Sequence, residues 1–219
     1  MVTIGFIALC VLMYLAQLGL PRLAGVDLTS ALGYAPLHTS PWILEPWRML
    51  TSAVLHSPSS VMHIAFNMMA LWVVGRTIEP AVGTWRYLSL LVLSAFGASV
   101  AVLFLSEPGT LTVGASGAVF GLFGALFVLL RSTGAQTGGI IALVGINMAV
   151  SFLVPGISWQ GHLGGLVTGL LTALIIARAP RGPRGAPRDL WQILGLIGLA
   201  ALLVVLTLGG MTLVSLPGS

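Results

Sequence analysis

The sequence predicts an all-α polytopic membrane bundle, and three observations carry that reading. Apolar residues make up 57% of the 219-residue chain and charged residues only 6%, where water-soluble domains carry about a quarter charged. The mean hydropathy is +1.06. The apolar residues are also grouped into runs near 2–20, 61–78, 84–105, 115–131, 138–154, 162–178 and 190–213, each close to the roughly 20 residues that a membrane-crossing helix needs. Lipid offers the backbone no hydrogen-bond partners, so such runs must satisfy themselves as helices. Seven helices result: a six-helix core over 1–178, an Arg/Pro/Gly-rich linker over 179–189 and one additional transmembrane helix over 190–213.

The first run has no basic segment before Arg22 and no small-residue cleavage site, so it reads as a retained membrane helix and not a signal peptide. It holds Cys10, the only cysteine, which excludes an internal disulfide and a cysteine-type zinc site. The segment 21–60 carries Pro21, Pro36, Pro41, Pro46 and Pro58 with Trp42 and Trp47. That content predicts a long structured loop lying at the membrane interface, where tryptophan rings are favoured. The remaining connections are short. The net charge of +4 comes from arginines scattered between apolar blocks, which argues for topology signals and against nucleic-acid binding. Arg76 and Arg86 flank the second connection, Arg131 opens the fourth, and Arg178, Arg181, Arg184 and Arg188 crowd the sixth. By the positive-inside rule the even connections face the cytoplasm. The N-terminus is then cytoplasmic, and the 21–60 loop and the C-terminus are outside.

Polar and ionisable residues inside a membrane span are costly and default to function. His63 and Asn67 in the second run, Asn147 in the fifth and His162 at the start of the sixth stand out, together with Gly114-Ala115-Ser116-Gly117 opening the fourth. His63 and Asn67 are one helical turn apart on one face. The second, fourth and sixth runs all travel inward, so His63, Asn67, Ser116 and His162 fall at their outer ends, at similar depth. A serine becomes a nucleophile when a base lies within hydrogen-bond reach. That requires close packing of the fourth and sixth helices, and Gly117 with Gly121, and Gly161 with Gly165 and Gly169, supply small-residue faces at four-residue spacing. Asp27, Glu45, Glu79, Glu107 and Asp189 all fall in or beside loops, so a Ser116–His162 dyad without an acidic third member is the economical arrangement. The backbone N–H of Ser116 and the side chains of His63 and Asn67 are the available oxyanion donors.

His63-x-x-x-Asn67, Gly114-Ala115-Ser116-Gly117 and Gly161-His162-Leu163-Gly164-Gly165 resemble, in order and spacing, the motifs of rhomboid intramembrane proteases. Pro46-Trp47-Arg48 in the first loop is similar to the Trp-Arg motif of the same family. The resemblance spans 1–178 and implies a six-helix rhomboid-like core, with the last helix as an addition that some members have. It further implies a serine endopeptidase in the cell membrane, with no metal or cofactor, that hydrolyses peptide bonds in or near the transmembrane segments of substrate proteins. Ser116 would be the nucleophile and His162 the general base, and His63 and Asn67 would support the oxyanion while Gly114 shapes the turn. Phe120 sits where the family often places an aromatic against the catalytic histidine, commonly a tyrosine, so the hydroxyl is absent here. Ordinary packing is the other reading of Phe120.

Simpler readings are available for several residues. His38 and His56 read as loop residues, Trp47 and Arg48 as holding the loop against the membrane, and Asn147 as either a local hydrogen bond or part of a water path or gate. Two further functions stay open on the residues alone: a solute pathway lined by the intramembrane His and Asn, and a non-catalytic member of the same fold that binds transmembrane clients. The Gly-Ala-Ser-Gly turn together with the Gly-His pair favours the protease.

Overall fold

The computed structural model describes residues 1–178 and 188–214. Among these are seven long helices: α1 Val2–Ala24, α2 Val61–Val82, α3 Thr84–Leu105, α4 Ser116–Ser132, α5 Gly138–Leu153, α6 Trp159–Arg178 and α7 Arg188–Met211. Five are long and apolar enough to cross a membrane, which makes the chain a multi-pass membrane protein. The other two, α4 and α5, have only 17 and 16 residues, or about 25 Å of rise. Of the expected linker, 179–187 lies outside the described residues, and α7 already begins at Arg188.

Two boundaries differ from the sequence reading: α1 continues through Pro21 to Ala24, so the expected 21–60 loop begins at 25, and α2 is also longer. Helix α2 runs on past residue 78 because Leu71–Gly75 widens into a π-helical stretch that carries the chain into Arg76–Val82, a known way of re-aiming a helix without ending it. Glu79 therefore sits within a helix and is 4% exposed, not in a loop. Its carboxylate accepts from the backbone N–H of Val2 at 2.6 Å and of Thr3 at 3.0 Å and from the Thr3 hydroxyl at 2.7 Å. It caps the free N–H groups that open α1.

The centre of the bundle is α3, α4 and α6, and glycine decides how close they come. A Cβ on Gly165 of α6 would fall on the backbone of Gly117 in α4, and one on Gly169 would fall on Gly121. On the other side of α6, a Cβ on Gly164 would meet the Gly97 carbonyl and Ala101 of α3. The α4–α6 approach expected from the four-residue glycine spacing is thus present. Helix α7 packs outside this centre. Gln192 donates to the Ile176 carbonyl of α6 at 2.7 Å and accepts from Arg86 Nε of α3 at 2.7 Å, while Arg86 also pairs with Asp189.

The 25–60 loop is structured by short helical turns at Leu28–Leu32, Pro36–Thr39 and Arg48–Thr51. Arg48 is its tie: 9% exposed, it donates to the carbonyls of Ser30 at 2.5 Å and Gly33 at 3.3 Å and pairs with Glu45 at 2.6 Å. Trp42 and Trp47 stay 69% and 54% exposed, in keeping with an interfacial position.

Candidate active site

The site begins with backbone. Between α3 and α4 the chain is extended, and non-helical backbone at membrane depth must find partners within the protein. The 25–60 loop provides them. Tyr34 and Thr112 exchange hydrogen bonds of 3.1 and 2.7 Å, and Gly114 N–H donates to the Ser52 carbonyl at 3.0 Å. Gly114 then takes φ of 135°, a conformation L side chains rarely adopt. There is also no room for one, because a Cβ there would lie 2.8 Å from His63 Nε2 and 3.5 Å from Ser116 Oγ. Ser116 follows as the first residue of α4 and is half-buried.

At the start of α4 the first N–H groups have no carbonyl four residues back within the helix; that ladder begins with Val119 donating to Ala115 at 3.0 Å. The N–H groups of Ser116 to Ala118 thus make a small positive cradle, reinforced by the helix dipole. His63 faces the same place. Ser57 N–H donates to its Nδ1 at 3.3 Å, which assigns the proton of the neutral ring to Nε2, the nitrogen that points at Gly114. It is a hydrogen-bond donor directed at the serine turn.

His162, 7% exposed, stands on the first turn of α6. Its ring stacks on Phe120, one turn beyond Ser116, with centroids 4.1 Å apart and planes 16° from parallel. Its Nδ1 is 2.7 Å from Ser151 Oγ of α5. Ser116 Oγ and His162 are not hydrogen-bonded to each other here, a looseness common in catalytic pairs without substrate. A cavity of about 30 Å³ lies beside Ser116, lined also by Ser52, Ser99, Thr112, Ser158 and Gly161 among others. That is room for a water, with hydroxyls to hold it.

The structure thus gathers Gly114, Ser116, Phe120, His63 and His162 at one place. Asn67 is buried, and its Nδ2 donates to the carbonyl of His63, one turn earlier on the same helix, at 2.8 Å. Asn147 Nδ2 likewise bonds within its own helix, to the Leu143 carbonyl at 2.8 Å. Glu107 is exposed in its turn. His38 Nδ1 accepts from Ala35 N–H at 2.9 Å within the loop. His56 is fully buried, its backbone clamped by Gln17 of α1 at 2.8 and 3.0 Å and its ring 5.2 Å from that of His63. Burial, with His63 nearby, lowers its pKa from 6.5 to about 4. Sequence reasoning missed Ser52, Ser57 and Ser151, which hold Gly114, His63 and His162.

A Rhomboid domain family model matches residues 44–179, a span from the 25–60 loop to the end of α6. Rhomboid protease GluP of Bacillus subtilis (strain 168) is 36% identical over 149 residues, covering 64% of this chain and 28% of that protein. Rhomboid protease GlpG of Serratia proteamaculans (strain 568) is 32% identical over 180 residues, 78% of this chain and 61% of that protein. The chain spans less than half the length of several curated relatives it matches, including 46% of RHOMBOID-like protein 6, mitochondrial, of Arabidopsis thaliana.

Proposed function

The chain belongs to the rhomboid family, and on that premise we propose that it is an intramembrane serine endopeptidase that hydrolyses peptide bonds in or near the transmembrane segments of other proteins, using Ser116 as nucleophile and His162 as general base. The observation that carries the reading is the glycine seam between α4 and α6, which brings the Phe120 ring onto His162 one turn from Ser116.

In this reading a substrate segment unwinds at the outer end of α4, since an intact helix keeps its carbonyls internally bonded. Ser116 Oγ attacks the exposed carbonyl carbon while His162 Nε2 takes the hydroxyl proton. The charge that develops on the carbonyl oxygen meets the Ser116 and Gly117 N–H groups and His63 Nε2–H, all fixed before substrate arrives. Asn67 acts through His63: by bonding to its carbonyl it steadies the turn that carries the ring. His162 then returns the proton to the leaving amine, and a water activated by the same ring hydrolyses the acyl-enzyme. Phe120 keeps the imidazole plane in place, and Gly114 leaves space for the His63 ring against the serine turn.

The site opens to the extracytoplasmic side. His63, Ser116 and His162 lie at the starts of α2, α4 and α6, whereas Arg76, Arg131 and Arg178 lie towards the opposite ends of the same three helices, the ends that positive-inside sorting keeps in the cytoplasm.

The test is cleavage of a reporter transmembrane segment in liposomes by wild type, Ser116→Ala and His162→Ala, with fluorophosphonate labelling of each. Both variants should lose cleavage and labelling. Cleavage retained by Ser116→Ala would refute the nucleophile, and a wild type that neither cuts nor labels would bring the client-binding reading forward.

A further inference from the structure

We propose that Ser151 of α5 is a positioning residue that fixes the tautomer and ring orientation of His162, so that the fifth helix supplies the third member of the proton-handling group; this rests on the protease reading above. Ser151 has one hydroxyl proton and two neighbours for it. Ser151 Oγ lies 2.7 Å from the Asn147 carbonyl and 2.7 Å from His162 Nδ1. A carbonyl oxygen can only accept, so the single hydroxyl proton satisfies Asn147. The lone pair of Oγ is then left for His162, and Nδ1 must carry a proton to use it. A neutral imidazole with hydrogen on Nδ1 has its free lone pair on Nε2. That is the form a general base needs, and the same Nδ1–H bond persists when the ring becomes imidazolium.

Packing supports the same reading. Helix α5 buries only Ile140 and Ser151; the rest of it is half-buried or exposed, with Ile141, Ile146, Phe152 and Leu153 turned outward. A serine bonding back to its own helix is common and sufficient by itself, so burial of this one at 3% exposure asks what it touches. It touches the histidine. The contact is also held in register, because Phe152 and Trp159 stack at 4.9 Å across the turn that joins α5 to α6. The six residues between those rings leave little slack between Ser151 and His162.

The pair Ser151→Thr and Ser151→Val tests this, since the two side chains have the same shape and differ by the oxygen. In liposomes with the transmembrane reporter, Ser151→Thr should keep kcat within about threefold of wild type. Ser151→Val should lose about tenfold or more in kcat with KM within about twofold, the pattern of an interaction needed only when the proton moves. The direct readout is the nitrogen NMR spectrum of histidine-labelled protein, assigned by comparison with His162→Gln. The His162 ring of wild type and Ser151→Thr should show a protonated Nδ1 and a bare Nε2, and Ser151→Val should show a mixture. A bare Nδ1 in wild type, or equal kcat in the Thr and Val variants, would overturn the proposal. If wild type cuts no reporter, the protease reading fails by itself and the spectrum still decides the role of Ser151.

Discussion

Replacing Gly165 by alanine should separate α4 from α6 and abolish the proposed cleavage while leaving the chain folded. The added methyl carbon would lie 2.7 Å from the carbonyl carbon of Gly117 and 2.9 Å from its Cα, and nearer still to its oxygen. Carbon atoms rest at about 3.5–4.0 Å, so the helices must part by about 1 Å. Neither contact can yield by a rotamer change, because both partners are backbone. Overpacking of this kind costs about 1–3 kcal/mol, which a bundle with several other helix contacts survives. The consequence for chemistry is larger. Gly117 adjoins Ser116 and Gly165 is three residues from His162, so the displacement passes directly into the serine–histidine separation. A misplacement near 1 Å costs on the order of 100-fold in rate. Reporter cleavage and fluorophosphonate labelling in liposomes, paired with thermal unfolding in detergent, separate the two effects. Gly145→Ala is the control: it lies on α5 with nothing within 4 Å of the added methyl, and it should behave as wild type. Cleavage by Gly165→Ala within about threefold of wild type would refute the claim that backbone contact between these helices sets the site.

Two other outcomes follow from the site and its surroundings. Gly114→Ala forces a side chain into φ of 135° and to 2.8 Å from His63 Nε2; cleavage should fall by about 100-fold or more, and near-normal turnover would show that His63 need not approach the serine turn. His56 keeps a pKa near 4 in the fold because burial, and secondarily His63, oppose its charging, against 6.5 as its ordinary value. The unfolded chain therefore binds the proton first, and stability should fall as pH drops from about 6.5 towards 4, by on the order of 3 kcal/mol. Unfolding in detergent followed against pH should show that slope in wild type and a flatter one in His56→Phe; equal slopes would refute it.

The fold was legible because the bilayer leaves so little choice. Seven apolar runs, each near the membrane length, could only be helices, and all seven helices fall on those runs. What the runs could not reveal was how a helix ends or bends without a polar break. Helix α2 was read short because Glu79, just past the apolar run, looks like a loop residue; it instead spends its charge on the N-terminus of α1, a partner 76 or 77 positions away. The short helices α4 and α5 were legible too: the runs 115–131 and 138–154 hold 17 residues each, and the helices have 17 and 16.

Within the site, legibility followed the cost of burying each residue in lipid. Histidine and asparagine are expensive there, so His63, Asn67, Asn147 and His162 announced themselves. Cost, however, identifies a residue without saying where its polar atoms go. Asn67 and Asn147 turned out to bond within their own helices at 2.8 Å, Asn67 on the carbonyl of His63 itself. Serine shows the opposite failure. It can always hide its hydroxyl on the carbonyl four residues earlier, so Ser151 looks like any small residue in an apolar run. Yet that back-bond is what gives it meaning, because a hydroxyl whose proton is already committed to Asn147 can only accept from His162. The spacing of Asn147 and Ser151, one helical turn, was present in the sequence; that a histidine 11 residues on would fold back onto it was not.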